Sequence, residues 1–308
     1  MHSVAAAGAG PFDGAIVLWF VLVAIFTLFV AVDIRTTPEA LVMKVGFVVI
    51  TLYSGPFGAL LYALSCREPM PGTHEEFVAV KWRQVVGSTM HCVAGDGIGI
   101  LAAATVTGLL RLPMGTDLVA EYIAGFLFGW TIFQALFMKG LMGGSYRGAL
   151  RSTFLPEFLS MNGVMAGMAA VMVIWMTRDP AAMEPTSAHF WFVMSIALSV
   201  GFVVAYPINW WLVERGLKHG MMTVRPEGVP MPVAAGLVMA GAALGGGHPR
   251  MTKAQTPGRM EHEMKPATST SDLVRLSVVS LLALASGIVI AGMFGDLTMS
   301  AGSMPAGR

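Results

Sequence analysis

The chain has 308 residues, of which 55% are hydrophobic and 12% are charged, and its mean hydropathy is +0.69. This composition excludes a soluble globular domain and is typical of an integral membrane protein in contact with lipid. The formal net charge of +1 gives no electrostatic basis for binding nucleic acid. Two cysteines, Cys66 and Cys92, are too few for a disulfide framework, and we expect free thiols.

Seven apolar runs are each long enough to cross a bilayer core of about 30 Å as a helix. The runs are apolar on all sides rather than alternating, which favours helices over the strands of a barrel. We therefore predict an all-α polytopic transmembrane helix bundle of about seven spans. The predicted spans are 14–32, 42–64, 84–110, 118–138, 154–176, 190–213 and 273–294.

Small residues and one proline predict how these helices pack. The pair Gly55-Pro56 in the middle of the second span predicts a kink, because proline cannot continue the backbone hydrogen bonding of a helix. Spans three, four and five each carry a GxxxG pair, which lets two helix backbones approach closely. These pairs are Gly95 with Gly99, Gly125 with Gly129, and Gly163 with Gly167.

Lys and Arg residues are unevenly divided between the two sides of this topology. Fourteen of the nineteen fall in the loops after the second, fourth and sixth spans, and five fall on the other side. An excess of positive charge marks the cytoplasmic side of a membrane protein. We therefore predict a cytoplasmic N-terminus and a multi-pass protein of the bacterial inner membrane.

Composition divides the chain into three parts. Residues 1–224 form a six-span transmembrane body with short loops. Residues 225–272 are rich in Pro, Gly, Ser, Thr and Lys, and they are typical of a disordered cytoplasmic linker. Residues 273–308 supply the final transmembrane helix and a short tail.

The third span carries three reactive side chains, His91, Cys92 and Asp96, inside an apolar run. At 1.5 Å per residue, His91 lies roughly 10 Å and Asp96 roughly 18 Å from the cytoplasmic end of the span. Ionisable groups at such depth are expensive and usually mark a functional path. We predict that His91 and Cys92 bind a metal and that Asp96 is their charge partner or a proton acceptor. In the alternative, the three side chains only form hydrogen bonds between helices.

Further polar residues fall at the same depth on neighbouring spans, in the cytoplasmic half of the membrane. Together they predict a polar pocket that opens to the cytoplasm. Its lining residues are Gln134, Glu157, Asn162, Tyr206 and Asn209.

Methionine is abundant, with 24 residues in the chain. Five methionines follow helical spacing along the fifth span, of which Met161 and Met165 are nearest in depth to Cys92. Thioether, thiolate and imidazole are the ligands that Cu(I) prefers, so Met161 and Met165 complete a candidate copper site. Methionine also packs irregular cores well, and that explanation stays open. Secondary metal candidates follow the sixth span at His219, Met221 and Met222.

Two strings resemble a known group of proteins: MHCVAGDGIG in span three and AYPINWWLVERGLKHGMMTVRP after span six. They are similar to an uncharacterised family of bacterial polytopic membrane proteins, a domain of unknown function whose members are sometimes loosely called copper oxidases. The resemblance covers roughly 75–226. The repeated HxH clusters of a multicopper oxidase do not occur in this sequence, which argues against oxidase chemistry.

The function predicted from the sequence is binding or transport of a soft metal ion, with copper as the cofactor or cargo. No zinc-protease motif, phosphate-binding loop or nucleophile elbow occurs, so we do not expect an enzyme. The alternative is a non-catalytic auxiliary or assembly subunit that docks to another membrane protein. A third hypothesis is a proton-coupled carrier of a small solute that uses Asp96.

Overall fold

The computed structural model describes residues 11–141, 145–221 and 269–300, and these residues form helices and no strands. Within these residues, six helical stretches are long and apolar enough to cross a membrane. They are α1 (Pro11–Asp33), α5 (Lys81–Leu109), α6 (Met114–Phe128) continued through a π-helical turn (Gly129–Gln134) into α7 (Ala135–Leu141), α8 (Tyr146–Arg178), α9 (Ala188–Glu214) and α10 (Thr270–Phe294). The shorter helices are α2 (Leu41–Ser54), α3 (Pro56–Ser65) and α4 (His74–Val78), with 3-10 turns at Ile34–Thr36 and Pro180–Met183. The predicted all-α polytopic bundle is therefore confirmed.

Serine side chains cap the start of three of the spanning helices. Ser145 accepts a hydrogen bond from the amide of Gly148 at the start of α8, and Ser187 accepts one from His189 at the start of α9. Ser269 does the same for Asp272 at the start of α10. These caps satisfy amides that have no partner within the helix, so they help to fix where each span begins.

Helices α2 and α3 form a hairpin rather than one kinked span. Gly55 separates them with a positive φ of 57°, a conformation that glycine adopts readily, and Pro56 begins α3. Near the end of α3, the ring of Tyr62 lies 5.6 Å from the ring of Phe47, and its hydroxyl lies 3.4 Å from that of Thr37. Because Thr37 precedes α2, the end of α3 has returned to the level at which α2 begins.

The tip of this hairpin lies near the middle of the bundle. Gly55 packs against Val23, which is halfway along α1. Tyr53 donates a 2.6 Å hydrogen bond to the carbonyl of Val93 in the middle of α5, and Phe57 lies 5.5 Å from Phe202 in the middle of α9. At 1.5 Å per residue the legs are about 21 Å and about 15 Å long, so the hairpin reaches only partway through the membrane.

The prediction that 42–64 crosses the membrane is therefore wrong, because this segment turns back at Gly55. An ion pair supports the return: Arg67, after α3, lies 2.8 Å from Asp33 at the end of α1. The order of helices from α5 onward is unchanged. With one crossing fewer, however, the start of α1 and the start of α5 lie on opposite sides of the membrane.

This change reverses the predicted side of the N-terminal helix. Among the residues that the structure describes, eleven of thirteen Lys and Arg side chains lie at the end where α1 finishes and α5 begins. The opposite end has Arg111 and Arg178. Applied to this topology, the positive-inside rule predicts a cytoplasmic basic end and an external start of α1, whereas the sequence alone predicts a cytoplasmic N-terminus.

The predicted GxxxG pairs lie at close helix contacts. A Cβ at Gly95 would lie 3.1 Å from the Cα of Gly129, which brings α5 against the π-helical turn that follows α6. A Cβ at Gly167 would lie 2.9 Å from the Cα of Gly201, which brings α8 against α9. The predicted linker falls almost entirely on 222–268, outside the described residues, and α10 packs along α8.

Candidate functional site

Cys92 lies at the centre of a buried polar network in the half of the bundle nearer its basic end. Its thiol donates a 2.9 Å hydrogen bond to Oε2 of Glu157 on α8. The side-chain amide of Gln134 donates to the sulfur at 2.8 Å, and the ammonium group of Lys218 also donates to it. The sulfur is therefore enclosed by a carboxylate, an amide and a cation.

Lys218 enters this network from the segment that follows α9. Its Nζ lies 3.3 Å from Oε2 of Glu157 and donates a 2.9 Å hydrogen bond to Oδ1 of Asn209. Asn209 is held in turn by a 2.8 Å hydrogen bond to Ser160. Burial alone would lower the pKa of Lys218, but the neighbouring Cys92 and Glu157 raise it.

Asp96 and Glu157 bring two carboxyl groups together at the top of the network. A Cβ at Gly129 would overlap Oδ1 of Asp96 and come within 2.9 Å of Oε1 of Glu157. Because Gly129 has no side chain, the carboxyl groups of Asp96 and Glu157 can face each other in the space beside it. Gly129 also begins the π-helical turn, a distortion that occurs often at functional sites.

Two more carboxyl groups continue outward from this pair along one face of α6. Four residues follow one another at intervals of four: Asp117, Glu121, Gly125 and Gly129. Each therefore lies on the same helix face as the next. Glu121 is fully buried, and neither of its side-chain oxygens has a hydrogen-bond partner in the described part of the chain. Asp117 accepts a hydrogen bond from Thr107 on α5.

We call these four carboxyl groups the carboxyl column. They form two pairs, Asp117 with Glu121 and Asp96 with Glu157, and Ile100 and Met161 pack at Gly125 between the pairs. Twelve residues separate Asp117 from Gly129, which corresponds to a rise of about 18 Å. Both side-chain oxygens of Asp96 also have no hydrogen-bond partner among the described residues. Because an ionised carboxylate without a partner is costly inside a membrane, we expect Asp96 and Glu121 to hold protons.

A cavity of about 250 Å³ adjoins the network on the side of the basic end. Its walls combine polar groups from α5, the π-helical turn, α8 and the segment after α9. They include Ser88, His91, Gln134, Thr153, Lys218 and His219. Of the five residues predicted to line a polar pocket, Gln134 lines this cavity, and the other four are not among its lining residues. Lys218 lies between the cavity and the Cys92 network.

His91 and Cys92 are neighbours in sequence but do not face the same space. The His91 ring packs at 5.5 Å from Phe133 and at 5.1 Å from Phe137, and its Nε2 has no hydrogen-bond partner in the described structure. Lys218 lies beside the sulfur of Cys92, where a metal cation would have to bind. The residues around Cys92 therefore do not fit a copper ion as they are arranged here.

The remaining predicted site residues are distributed more widely. Met161 and Met165 are buried in the hydrophobic core, and Asn162 joins Tyr122 to Ser280 of α10 through hydrogen bonds of 2.7 and 2.8 Å. Tyr206 reaches the carbonyl of Trp82 at 3.4 Å. Met221 is buried against Gly87. Met222 lies outside the described residues.

Residues 81–218 match a family described as a domain of unknown function, DUF4396. The resemblance to a domain-of-unknown-function family is thus confirmed. The match begins at the first residue of α5 and ends at Lys218, so it includes the whole carboxyl column and the Cys92 network. No curated protein and no solved structure matches the chain significantly.

Within the DUF4396 region, the sequence interpretation did not assign a site role to Lys218, Asp117 or Glu121. Lys218 lies in a loop, where no helical periodicity indicates its direction. Asp117 and Glu121 could have been found, because two acids four residues apart near one end of an apolar span share a helix face.

Proposed function

We propose that this protein is a proton-coupled carrier of a small anionic solute and not an enzyme. The observation that supports this most strongly is the column of buried carboxyl groups that ends at the ion pair of Glu157 with Lys218. Chains of acidic residues inside membrane helices are characteristic of proton relays in transporters. The column begins with Asp117 near the outer end of α6 and ends beside the cytoplasmic cavity.

The coupling step follows from the charges at the inner end of the column. Glu157 is the counter-ion of Lys218, at 3.3 Å. When a proton passes from Asp96 to Glu157, Lys218 loses that counter-ion. An anionic group in the cavity can then replace the carboxylate, so binding of the proton and binding of the anion support each other.

The size and lining of the cavity suit a small polar solute. Its volume of about 250 Å³ is below the range of about 300–1,000 Å³ that holds drug-sized ligands. Ser88, Gln134 and Thr153 offer hydrogen bonds around a single buried cation, Lys218.

Proton uptake by reconstituted vesicles tests this function. Vesicles containing a pH-sensitive dye receive a membrane potential and one probe anion: inorganic phosphate, sulfate or succinate. We expect the wild type to take up protons faster when one of these anions is present. Asp96→Asn and Glu157→Gln should reduce uptake to the rate of protein-free vesicles, because the proton path is interrupted.

Glu214→Gln is the matched control, because this carboxylate forms an exposed ion pair with Lys81 at the end of α9. It should transport as the wild type does. Anion-dependent uptake that persists in Asp96→Asn would contradict the proton path. A wild type that responds to none of the three anions would contradict the assignment of an anionic solute.

Soft-metal transport is a second candidate, favoured by the methionines of α8. Met161, Met165, Met168, Met172 and Met176 are all buried, and Met176 lines a cavity of about 20 Å³ near the outer surface together with Met114 and Met183. Thioethers are ligands for Cu(I), although these side chains also serve as core packing. Adding Ag(I), a chemical mimic of Cu(I), to the same vesicles distinguishes the two candidates.

A further inference from the structure

A second cluster of reactive side chains lies at the base of the hairpin, away from the carboxyl column. Glu39 precedes α2, Cys66 caps the end of α3, and His74 is the first residue of α4. The cluster therefore joins both legs of the hairpin to the loop that leads into α5. It lies before residue 81, where the DUF4396 match begins.

The three side chains converge in a buried space. Glu39 is 5% exposed, Cys66 is 0% and His74 is 1%. One potential ligand atom from each lies within 4.8 Å of the other two, and among the described residues no other group of three His, Cys, Asp or Glu side chains does so. Oε2 of Glu39 and Nδ1 of His74 are buried without a hydrogen-bond partner in this part of the structure.

The separations are close to those around a metal ion. Nε2 of His74 lies 3.2 Å from Oε1 of Glu39. Two nitrogen or oxygen ligands on one tetrahedral zinc ion lie about 3.3 Å apart, given metal–ligand distances of about 2.0–2.1 Å. The other distances between ligand atoms are at most 4.8 Å, and small side-chain movements would shorten them to the distances found around a bound ion.

Charges of both signs surround the three side chains. Glu68, two residues after Cys66, acts electrostatically on the thiol, and its Oε2 is buried without a hydrogen-bond partner in the described structure. Lys44 is the opposing positive charge near Cys66. Its Nζ donates a 3.0 Å hydrogen bond to the carbonyl of Arg35, which holds it in place.

We propose that Glu39, Cys66 and His74 bind a zinc ion at the base of the hairpin. Thiolate, imidazole and carboxylate are the three ligand types that zinc combines in proteins, and a fourth position is open to water or to Glu68. A bound ion fastens α2, α3 and the following loop together. This site does not depend on the proposed carrier function.

Cobalt substitution in the full-length protein tests the proposal. Co²⁺ bound to a thiolate gives an intense near-ultraviolet charge-transfer band, and the chain has two cysteines, so each can be removed in turn. We expect the band in the wild type and in Cys92→Ser, and its loss in Cys66→Ser. His74→Ala and Glu39→Gln should weaken Co²⁺ and Zn²⁺ binding, and the wild type should bind one equivalent of zinc.

The Cys92→Ser protein keeps the test independent of any folding defect caused by changing Cys66. In that protein Cys66 is the remaining thiol, and zinc should slow its reaction with a maleimide until a chelator is added. The proposal is overturned if Cys92→Ser shows no thiolate–cobalt band, if Cys66→Ser keeps the full band, or if zinc leaves the labelling rate of Cys66 unchanged.

Discussion

Lys218 lies in the interior of the helix bundle, where its amino group pairs with the carboxyl group of Glu157. It is 8% exposed and contacts Cys92, Glu157 and Asn209. A buried ion pair contributes little stability relative to a hydrophobic pair of the same size, but removing one partner leaves the other charge unpaired. The ion pair therefore makes the protonation state of Glu157 and the position of Lys218 depend on each other.

This dependence predicts a non-additive pair of substitutions. Lys218→Met should destabilise the protein by roughly 3–5 kcal/mol, the range for breaking a buried ion pair from one side. The double variant Lys218→Met/Glu157→Gln should recover part of that loss, because neither charge remains. Thermal unfolding in detergent, followed by tryptophan fluorescence, measures both effects. Strictly additive losses would show that the two side chains are not coupled.

Part of this site follows from the sequence alone. Regular helix rise places Cys92, Gln134, Glu157 and Asn209 at one depth, and the structure joins them through Cys92 and Lys218. The direction of His91 does not follow in this way, because it depends on how the aromatic rings of the neighbouring helix pack. The position of Lys218 depends on a loop that folds back against α5 and α8.

At the scale of helices, the hairpin of α2 and α3 is the element that sequence reasoning assigns incorrectly. Its apolar length is that of a span, and a Gly-Pro pair fits a kink as well as a reversal. The contacts that separate these possibilities come from three other helices, through Val23, Val93 and Phe202. Local composition has no information about such long-range contacts.

Cysteine labelling distinguishes a hairpin from a crossing. In a protein with Cys66 and Cys92 replaced by alanine, single cysteines are introduced as Thr36→Cys and Met70→Cys, both exposed positions. A hairpin places both on the cytoplasmic side, so an impermeant maleimide should label both only in inside-out vesicles. If the two cysteines were labelled from opposite sides, 42–64 would cross the membrane.

At the scale of the whole molecule, the described helices α5, α8 and α9 form a central group, and α1 and α10 lie at its periphery. The residues of α5, α8 and α9 are largely buried by one another, whereas α1 and α10 expose apolar side chains along much of their length, as expected for contact with lipid. α10 is held to the body by the ion pair of Arg215 with Asp272 and by the hydrogen bond of Asn162 with Ser280. The auxiliary-subunit hypothesis stays a prediction.

If the six described spanning helices each cross the membrane once, the start of α1 lies on the outer side. A protease site inserted directly before Pro11 should be cut from the outside of intact spheroplasts, because residue 11 is on the side opposite the basic ends of the helices. A second site inserted after Arg67 is the control and should be cut only from the cytoplasmic side. If the first site were protected in intact spheroplasts and cut only after lysis, the start of α1 would instead be cytoplasmic.

The hairpin also constrains how the nascent chain is inserted into the membrane. As residues 41–65 leave the ribosome, they present the insertion machinery with an apolar stretch long enough to be threaded across the bilayer. If 41–65 remained across the bilayer, every later helix would be inserted in the opposite orientation. Arg67, Lys81 and Arg83 follow the hairpin, and by the positive-inside rule we expect them to resist translocation and to keep the second leg on the cytoplasmic face. We therefore expect the positive charges that follow the hairpin to determine the orientation of the entire nascent protein.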